Sequence, residues 1–297
     1  MVVAGLLSSD SKEPLIATSV RQRYLPTTVF VHGLDSSKQT WSSVQSDLLQ
    51  RGYPSIAMDL RGHGESDLGD PSDFSAEALA RDVLNVAQDL KGGPVVLVGH
   101  SMGGRVVMRA AALDLVEEKK VLGALIVEDV DTRNFGGGDE KNLEPFSREF
   151  ATLDDAKKAL INGGYDLDRV NSWVGTRLRR MPNGRWHSDL SPQAQELAWQ
   201  HVLNVDDADR AWDILASTQD VPFSVHLWIA SDKGTVCKRA GPKSIGDLVD
   251  RLPTAKLQQF DRADHSIHNT DRLAFVNALI TVIDDLSKKQ HPPVPDK

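Results

Sequence analysis

The sequence predicts a doubly wound α/β fold: a mostly parallel sheet with helices on both faces and an all-helical insertion. Short β-branched runs alternate with helical patterns over the first 130 or so residues. The alternation stops between about residues 132 and 220, then resumes towards the C-terminus. This divides the chain into a core of residues 1–131 and 221–297 and a helical cap of residues 132–220.

In chain order, residues 28–31 (Thr-Val-Phe-Val) form a continuous β-branched and aromatic run, the pattern of a strand buried on both faces. Residues 41–51 have a helical pattern ended by Gly52, and residues 55–58 are the next strand. Ser75 stands where a helix N-cap belongs, and Lys91-Gly92-Gly93-Pro94 breaks the helix that follows it. A valine-rich strand (95–98), a helix (102–116) and another strand (122–127) complete the first half. In the insertion, Gly136-Gly137-Gly138 has the composition of a hinge, while 153–161 and 167–180 predict helices. Ser191-Pro192 starts a further helix with proline at its first position. Strands at 225–230 and 256–260 then alternate with helices at 243–251 and 271–286, and the last ten residues predict a frayed tail.

A net charge of -8 with no basic stripe argues against a nucleic-acid partner and favours a neutral or modestly polar small molecule. Cys237 is the only cysteine, which excludes an intrachain disulfide and a cysteine zinc site. That usage fits the cytoplasm or a reducing organelle lumen. Residues 1–9 are apolar but lack lysine and arginine, a poor secretory signal. No integral membrane segment is expected, because no apolar run approaches the roughly 20 residues that span a bilayer.

Chemistry enters with Gly99-His100-Ser101-Met102-Gly103, a G-x-S-x-G spacing between the valine strand and its helix. A serine hydroxyl is a weak nucleophile unless a tight turn projects it towards a base. Small residues at Gly99 and Gly103 let strand and helix approach, and the Met102 amide at the helix start can donate to an oxyanion. His32-Gly33-Leu34 follows the first clear strand. Gly33 lets the backbone fold back so that the Leu34 amide aims at the same oxygen, with His32 as a positioning residue.

Three segments, Val29-Phe30-Val31-His32-Gly33, Asp59-Leu60-Arg61-Gly62-His63-Gly64-Glu65-Ser66 and Gly99-His100-Ser101-Met102-Gly103-Gly104, together resemble the α/β-hydrolase superfamily. With the histidine segment below, the resemblance covers roughly residues 27–131 and 222–287. It implies a serine, acid, histidine order along the chain, with Arg61 and His63 bracing loops. It places the base at His265, in Asp264-His265-Ser266-Ile267-His268, where Asp264 replaces the usual glycine; His268, expected to face the last helix, is a weaker alternative.

Two aspartates compete for the acid. In Ile229-Ala230-Ser231-Asp232-Lys233-Gly234-Thr235-Val236, Gly234 occupies the usual acid position and Asp232 lies two residues early. Leu125-Ile126-Val127-Glu128-Asp129-Val130-Asp131 instead resembles a subgroup of small bacterial and mitochondrial esterases, with Asp129 as the acid. Thr176-Arg177-Leu178 and Asn183-Gly184-Arg185-Trp186 are similar to that subgroup's insertion. Asp129 is therefore preferred, Asp232 is the alternative, and Glu128 and Asp131 are solvated or salt-bridged.

The resemblance implies a Ser101–His265–Asp129 acyl-enzyme mechanism on esters or thioesters of small or acyl-chain substrates, needing no metal or organic cofactor. Trp173 and Trp186 line an acyl pocket or simply pack the insertion; Arg177, Arg179, Arg180 and Arg185 receive an anion or form a solvated face. Amidases, C–C hydrolases and cofactor-free haloperoxidases are nearby alternatives. From another class, a slow-turnover ligand receptor could keep the same fold.

Overall fold

The computed structural model describes residues 25–90, 93–135, 146–231, 236 and 238–290, with the backbone of Val3–Leu6. The first half runs β1 (Val3–Leu6), β2 (Thr28–Val31), α1 (Ser42–Gln50), β3 (Ser55–Met58), α2 (Ala76–Asp89), β4 (Val95–His100), α3 (Met102–Val116) and β5 (Leu122–Glu128). Next come β6 (Glu149–Phe150), α4 (Leu153–Asn162), α5 (Leu167–Ser172), β7 (Leu178–Arg180), β8 (Trp186–Ser188), α6 (Pro192–Ala198) and α7 (Asp207–Ser217). The chain closes with β9 (Ser224–Ala230), α8 (Ile245–Arg251), β10 (Lys256–Phe260), α9 (Ile267–Thr270) and α10 (Arg272–Gln290).

The main sheet has the order β1-β3-β2-β4-β5-β9-β10, and β1 alone pairs antiparallel. β2, β3, β4 and β5 are buried along their whole length, whereas the edge strand β10 is largely exposed, and the period of two divides the buried side chains between two cores. Val29, Val31, Leu97, Leu125 and Val127 pack with Leu79 and Val83 of α2, Val106 of α3 and Trp212 of α7. Phe30, Val96, Val98 and Ile126 pack on the other side with Leu48 of α1 and Phe275, Leu279 and Ile283 of α10. Each such side chain contributes about 1.5–3 kcal/mol by leaving water. Ser75 caps α2, accepting from the Ala78 amide at 3.1 Å, and Ser191 caps α6 through the Ala194 amide at 3.2 Å. No helix among the described residues is long and apolar enough to cross a membrane.

Three expectations are corrected. The segment expected to be all-helical carries a small antiparallel sheet, β6-β8-β7. Strands of two or three residues are too short to display alternation, so periodicity could not reveal them. The helix expected over 167–180 stops at Ser172, and the chain turns at Gly175 (φ +86°) into β7. Residues 288–290, expected to open a frayed tail, instead finish α10, with Lys288 and Lys289 at its negative C-terminal end; residues 291–297 lie outside the described residues. The glycine run at 136–138 lies outside the described residues.

Candidate active site

β3 lies on one side of β2 and β4 on the other, so the chain reverses its winding between β2 and β4. Open α/β sheets bind ligands at such a switch point, beyond the C-terminal ends of the strands. The loop after β2 (His32-Gly33-Leu34) and the turn after β4 (Ser101) meet there.

Ser101 joins β4 directly to α3 with φ 52° and ψ -118°, a conformation rare outside glycine. Holding it costs about 1–3 kcal/mol, which the surroundings must over-determine. The Ser101 amide continues the ladder to the Glu128 carbonyl at 2.9 Å, and its own carbonyl accepts from the Gly104 amide at 2.8 Å. A Cβ on Gly99 would strike the Gly103 carbonyl, and one on Gly103 would strike the His32 carbonyl, so this contact admits no side chain. A Cβ on Gly33 would sit 3.2 Å from Ser101 Cβ and 2.9 Å from His100 Nδ1, so the β2 loop presses against the serine. Met102 opens α3, where the first amides have no intrahelical acceptor; Leu34 follows Gly33 and is half-buried.

His32 is fully buried with both nitrogens engaged: Nδ1 donates to the Gly33 carbonyl at 2.8 Å, and Nε2 accepts from the Leu60 amide at 3.1 Å. Burial lowers its pKa. His63 is also buried, bonded through Nδ1 to the Arg61 carbonyl at 3.0 Å, and burial drives its pKa down to about 3. Arg61 braces α2 with a forked bond to Asp82 at 2.7 and 2.9 Å.

Asp129 repeats the geometry of Ser101 one strand over. It follows β5 with φ 48°, its amide bonds to the Trp228 carbonyl at 2.8 Å, and its side chain is fully buried. One oxygen accepts from the Ala230 amide at 3.1 Å; the other lies 2.6 Å from His265 Nδ1. His265 comes from the loop between β10 and α9, its side chain 38% exposed. A carboxylate can only accept, so Nδ1 carries the proton and Nε2 keeps its lone pair. Asp232 and Gly234 lie outside the described residues. Asp131 and Glu128 are buried rather than solvated: Asp131 pairs with Arg133 at 3.2 Å and Arg239 at 3.5 Å, and Glu128 with His268 at 2.9 Å.

Trp173 and Trp186 pack in the insertion's own apolar cluster, whereas Trp199 and Trp212 pack against the main core. Trp173 lies edge-on to Tyr165 at 5.0 Å, and Trp186 rests against the cluster containing Phe150 and Leu178. Arg169 and Arg177 stand over the Trp173 ring at 5.3 and 5.7 Å. Arg179 pairs with buried Asp189 at 2.7 Å, Arg185 with Glu149 at 3.4 Å, and Arg180 is exposed.

Two buried polar groups escaped sequence reasoning. Lys38, only 5% exposed, donates to Asp59 at 2.5 Å and Glu65 at 2.7 Å. Asp59 also accepts from the amides of Lys38 (2.6 Å) and Glu65 (3.0 Å), which ties the loop after β3 to the loop after β2. Burial would lower the lysine and raise the aspartate, but these bonds outweigh it: Lys38 is raised and Asp59 lowered. The second group is His100, Glu128 and His268. Their available signal was a charged residue ending an otherwise apolar strand, Leu-Ile-Val-Glu. Burial brings His100 down to about 4, whereas His268 and His100 outweigh burial at Glu128 and hold it below the usual carboxylate range.

Residues 28–279 match the sequence model of the "Alpha/beta hydrolase family". The sn-1-specific diacylglycerol lipase ABHD11 of Mus musculus is 37% identical over 268 residues, covering 87% of this chain and 81% of that protein. Protein phosphatase methylesterase 1 of Mus musculus is 37% identical over 110 residues, 36% of this chain; the chain spans 28% of that protein's length. Among solved structures, a marine microorganism esterase superposes with a TM-score of 0.63 at 18% identity, covering 95% of this chain and 98% of that one.

Proposed function

We propose, from the premise that this chain belongs to the alpha/beta hydrolase family, that it cleaves carboxylic esters through Ser101, His265 and Asp129. The observation that carries this reading is the 2.6 Å bond from His265 Nδ1 to a fully buried carboxylate. That bond fixes one tautomer and leaves the Nε2 lone pair for a serine proton. The strained turn at Ser101, against which the Gly33 loop packs, supports the same reading.

In the proposed reaction, Ser101 Oγ attacks the ester carbonyl as His265 Nε2 takes the hydroxyl proton. Negative charge grows on the carbonyl oxygen, where the amides of Leu34 and Met102 would both donate to it. Collapse breaks the C–O bond to the alcohol, which departs with the proton from His265. Water then attacks the acyl-enzyme by the same route and frees the acid. Asp129 stabilises the imidazolium without taking its proton. Neither a metal nor an organic cofactor enters this scheme.

Residues 132–220 would form a cap over the pocket and select the acyl group; Arg169 and Tyr165 join this segment to the β2 loop by bonding Asp35 at 2.9 and 3.3 Å. The likeness to a diacylglycerol lipase makes acylglycerols the first substrates to try. A thioester could use the same attack, because its carbonyl is presented in the same way.

Ser101→Ala should abolish labelling by a fluorophosphonate probe and turnover of p-nitrophenyl esters. Labelling that survives this substitution would falsify the nucleophile assignment. Stoichiometric ligand retention with negligible turnover by the unmodified chain would instead favour a receptor.

A further inference from the structure

Ser101, Asp129 and His265 leave their buried neighbours unexplained. β4 and β5 run parallel and end in register, with His100 opposite Glu128. Immediately afterwards both strands turn into positive φ, at Ser101 (52°) and Asp129 (48°). Successive residues of a strand point to opposite sides, so a second pair of polar side chains lies beside the first. His268, three residues beyond His265 on α9, completes this group and is 1% exposed.

The bonds of the group converge on the histidine loop. His100 Nε2 donates to the backbone carbonyl of His265 at 2.9 Å, and its ring lies 4.7 Å from the His265 ring. Glu128 accepts from the His268 amide at 2.9 Å, and its two oxygens accept from His268 Nδ1 at 2.9 and 3.0 Å. His268 Nε2 faces the Thr40 hydroxyl at 2.9 Å, and its ring rests 4.1 Å from that of Trp41. Within the loop Asp261, Arg262 and Asp264 are exposed, while Ala263 is buried and its carbonyl accepts from Ser231 Oγ at 2.8 Å. Local turns, the Ala263 amide to the Phe260 carbonyl at 3.1 Å and the Asp264 amide to Thr270 Oγ1 at 3.1 Å, fold it on itself. The bonds from His100 and Glu128 tie it to the two strands that deliver Ser101 and Asp129.

We propose that His100, Glu128 and His268 are positioning residues for the reaction: they hold the His265 loop in register with β4 and β5, so that its imidazole meets both carboxylate and serine. This rests on the proposed triad. The ligand atoms of the three side chains lie within 4.8 Å of one another, a spacing that could suit a cation. However, a cation would have to break the bonds to the His265 carbonyl and the His268 ring. The geometry favours the loop clamp.

The test is steady-state ester hydrolysis with paired substitutions. His100→Phe and His268→Phe keep ring volume but remove the donors. Both should lower kcat about 10- to 100-fold, the scale of a misplaced catalytic group, while KM stays within about twofold. His100→Gln places an amide nitrogen where Nε2 was, and His268→Asn does so for Nδ1. Each should recover kcat to within about fivefold of the parent. Wild-type kcat in both Phe variants would overturn the proposal, as would Gln and Asn variants as impaired as the Phe ones. Should the Phe variants fail to fold, Glu128→Gln decides: an approximately tenfold lower kcat at unchanged KM supports the clamp, and full kcat overturns it. Turnover that persists in Ser101→Ala would overturn the triad itself, a result distinct from any of these.

Discussion

The crest of the sheet, where β2, β4 and β5 end, and the segment from residue 146 to 220 are held by different forces. At the crest, polar groups are buried and each bond has a single geometry: Asp129 to His265, Glu128 to His268, Lys38 to Asp59. In the outer segment, α4 and α5, of ten and six residues, and two- or three-residue strands surround a small apolar cluster, with ion pairs such as Arg169–Asp35 and Arg185–Glu149 at the surface. Buried pairs lose heavily when one partner is removed, whereas exposed ones are worth about 0–1 kcal/mol. On the proposed reading, chemistry would be fixed where substitution is costly, and the guest selected where substitution is cheap.

Several substitutions would sharpen or break that contrast. The largest effect belongs to Asp129→Asn, which should lower kcat about 10⁴-fold. A loss below tenfold in ester hydrolysis would move the acid elsewhere and sever the crest from the chemistry. Lys38→Met leaves the Asp59 carboxylate buried without its cation, at a cost of about 3–5 kcal/mol measurable by urea unfolding. A cost under 1 kcal/mol would place this pair with the surface pairs of the outer segment.

Acid should act on the crest next. His63, with its pKa near 3, stays neutral in the folded chain while the unfolded chain takes up a proton below about pH 6.5. The unfolded state therefore binds more protons, and stability falls with pH from about 6.5 towards 3. Asp59, whose pKa is depressed in the fold, adds to the loss below its unfolded value near 4. His63→Asn, which keeps a donor near Nδ1, should flatten the slope of thermal midpoint against pH between 6.5 and 4.5; an unchanged slope would exclude His63 as its source. Least disruptive should be Trp173→Ala in the outer segment, changing KM across acyl lengths by about three- to tenfold while kcat for short esters holds within about twofold. A collapse of short-ester kcat would show that the outer segment also sets the chemistry.

The same contrast decided what the sequence made legible. Strands such as Val95–His100 are apolar on both faces and close on glycine turns, so pattern and motif agree. Gly99, Ser101 and Gly103 stand out because a tight strand-to-helix passage restricts residue type. The β6-β8-β7 sheet left no periodic trace, and Gly175 falls inside the expected helix, three residues beyond where α5 stops. Lys38 and Asp59 stand 21 residues apart, and His268 and Glu128 stand 140 apart, so neither pair has a local signature. Asp129 and Asp232 differed only by likeness to a subgroup. The bond to His265 is what places Asp129 in the site, while Asp232 lies outside the described residues.

The Asp129–His265 bond also spans 136 residues of chain. Contacts of such separation carry a large loop-closure entropy, and parallel sheets built from them form slowly. A ribosome must release the last strand and its following loop before this bond can close, so under the proposed mechanism a nascent chain ending before residue 265 would bury much of its apolar surface yet hydrolyse nothing. Recovery of ester turnover during refolding then reports when the two ends of the polypeptide have met, later than any spectroscopic signal of helix.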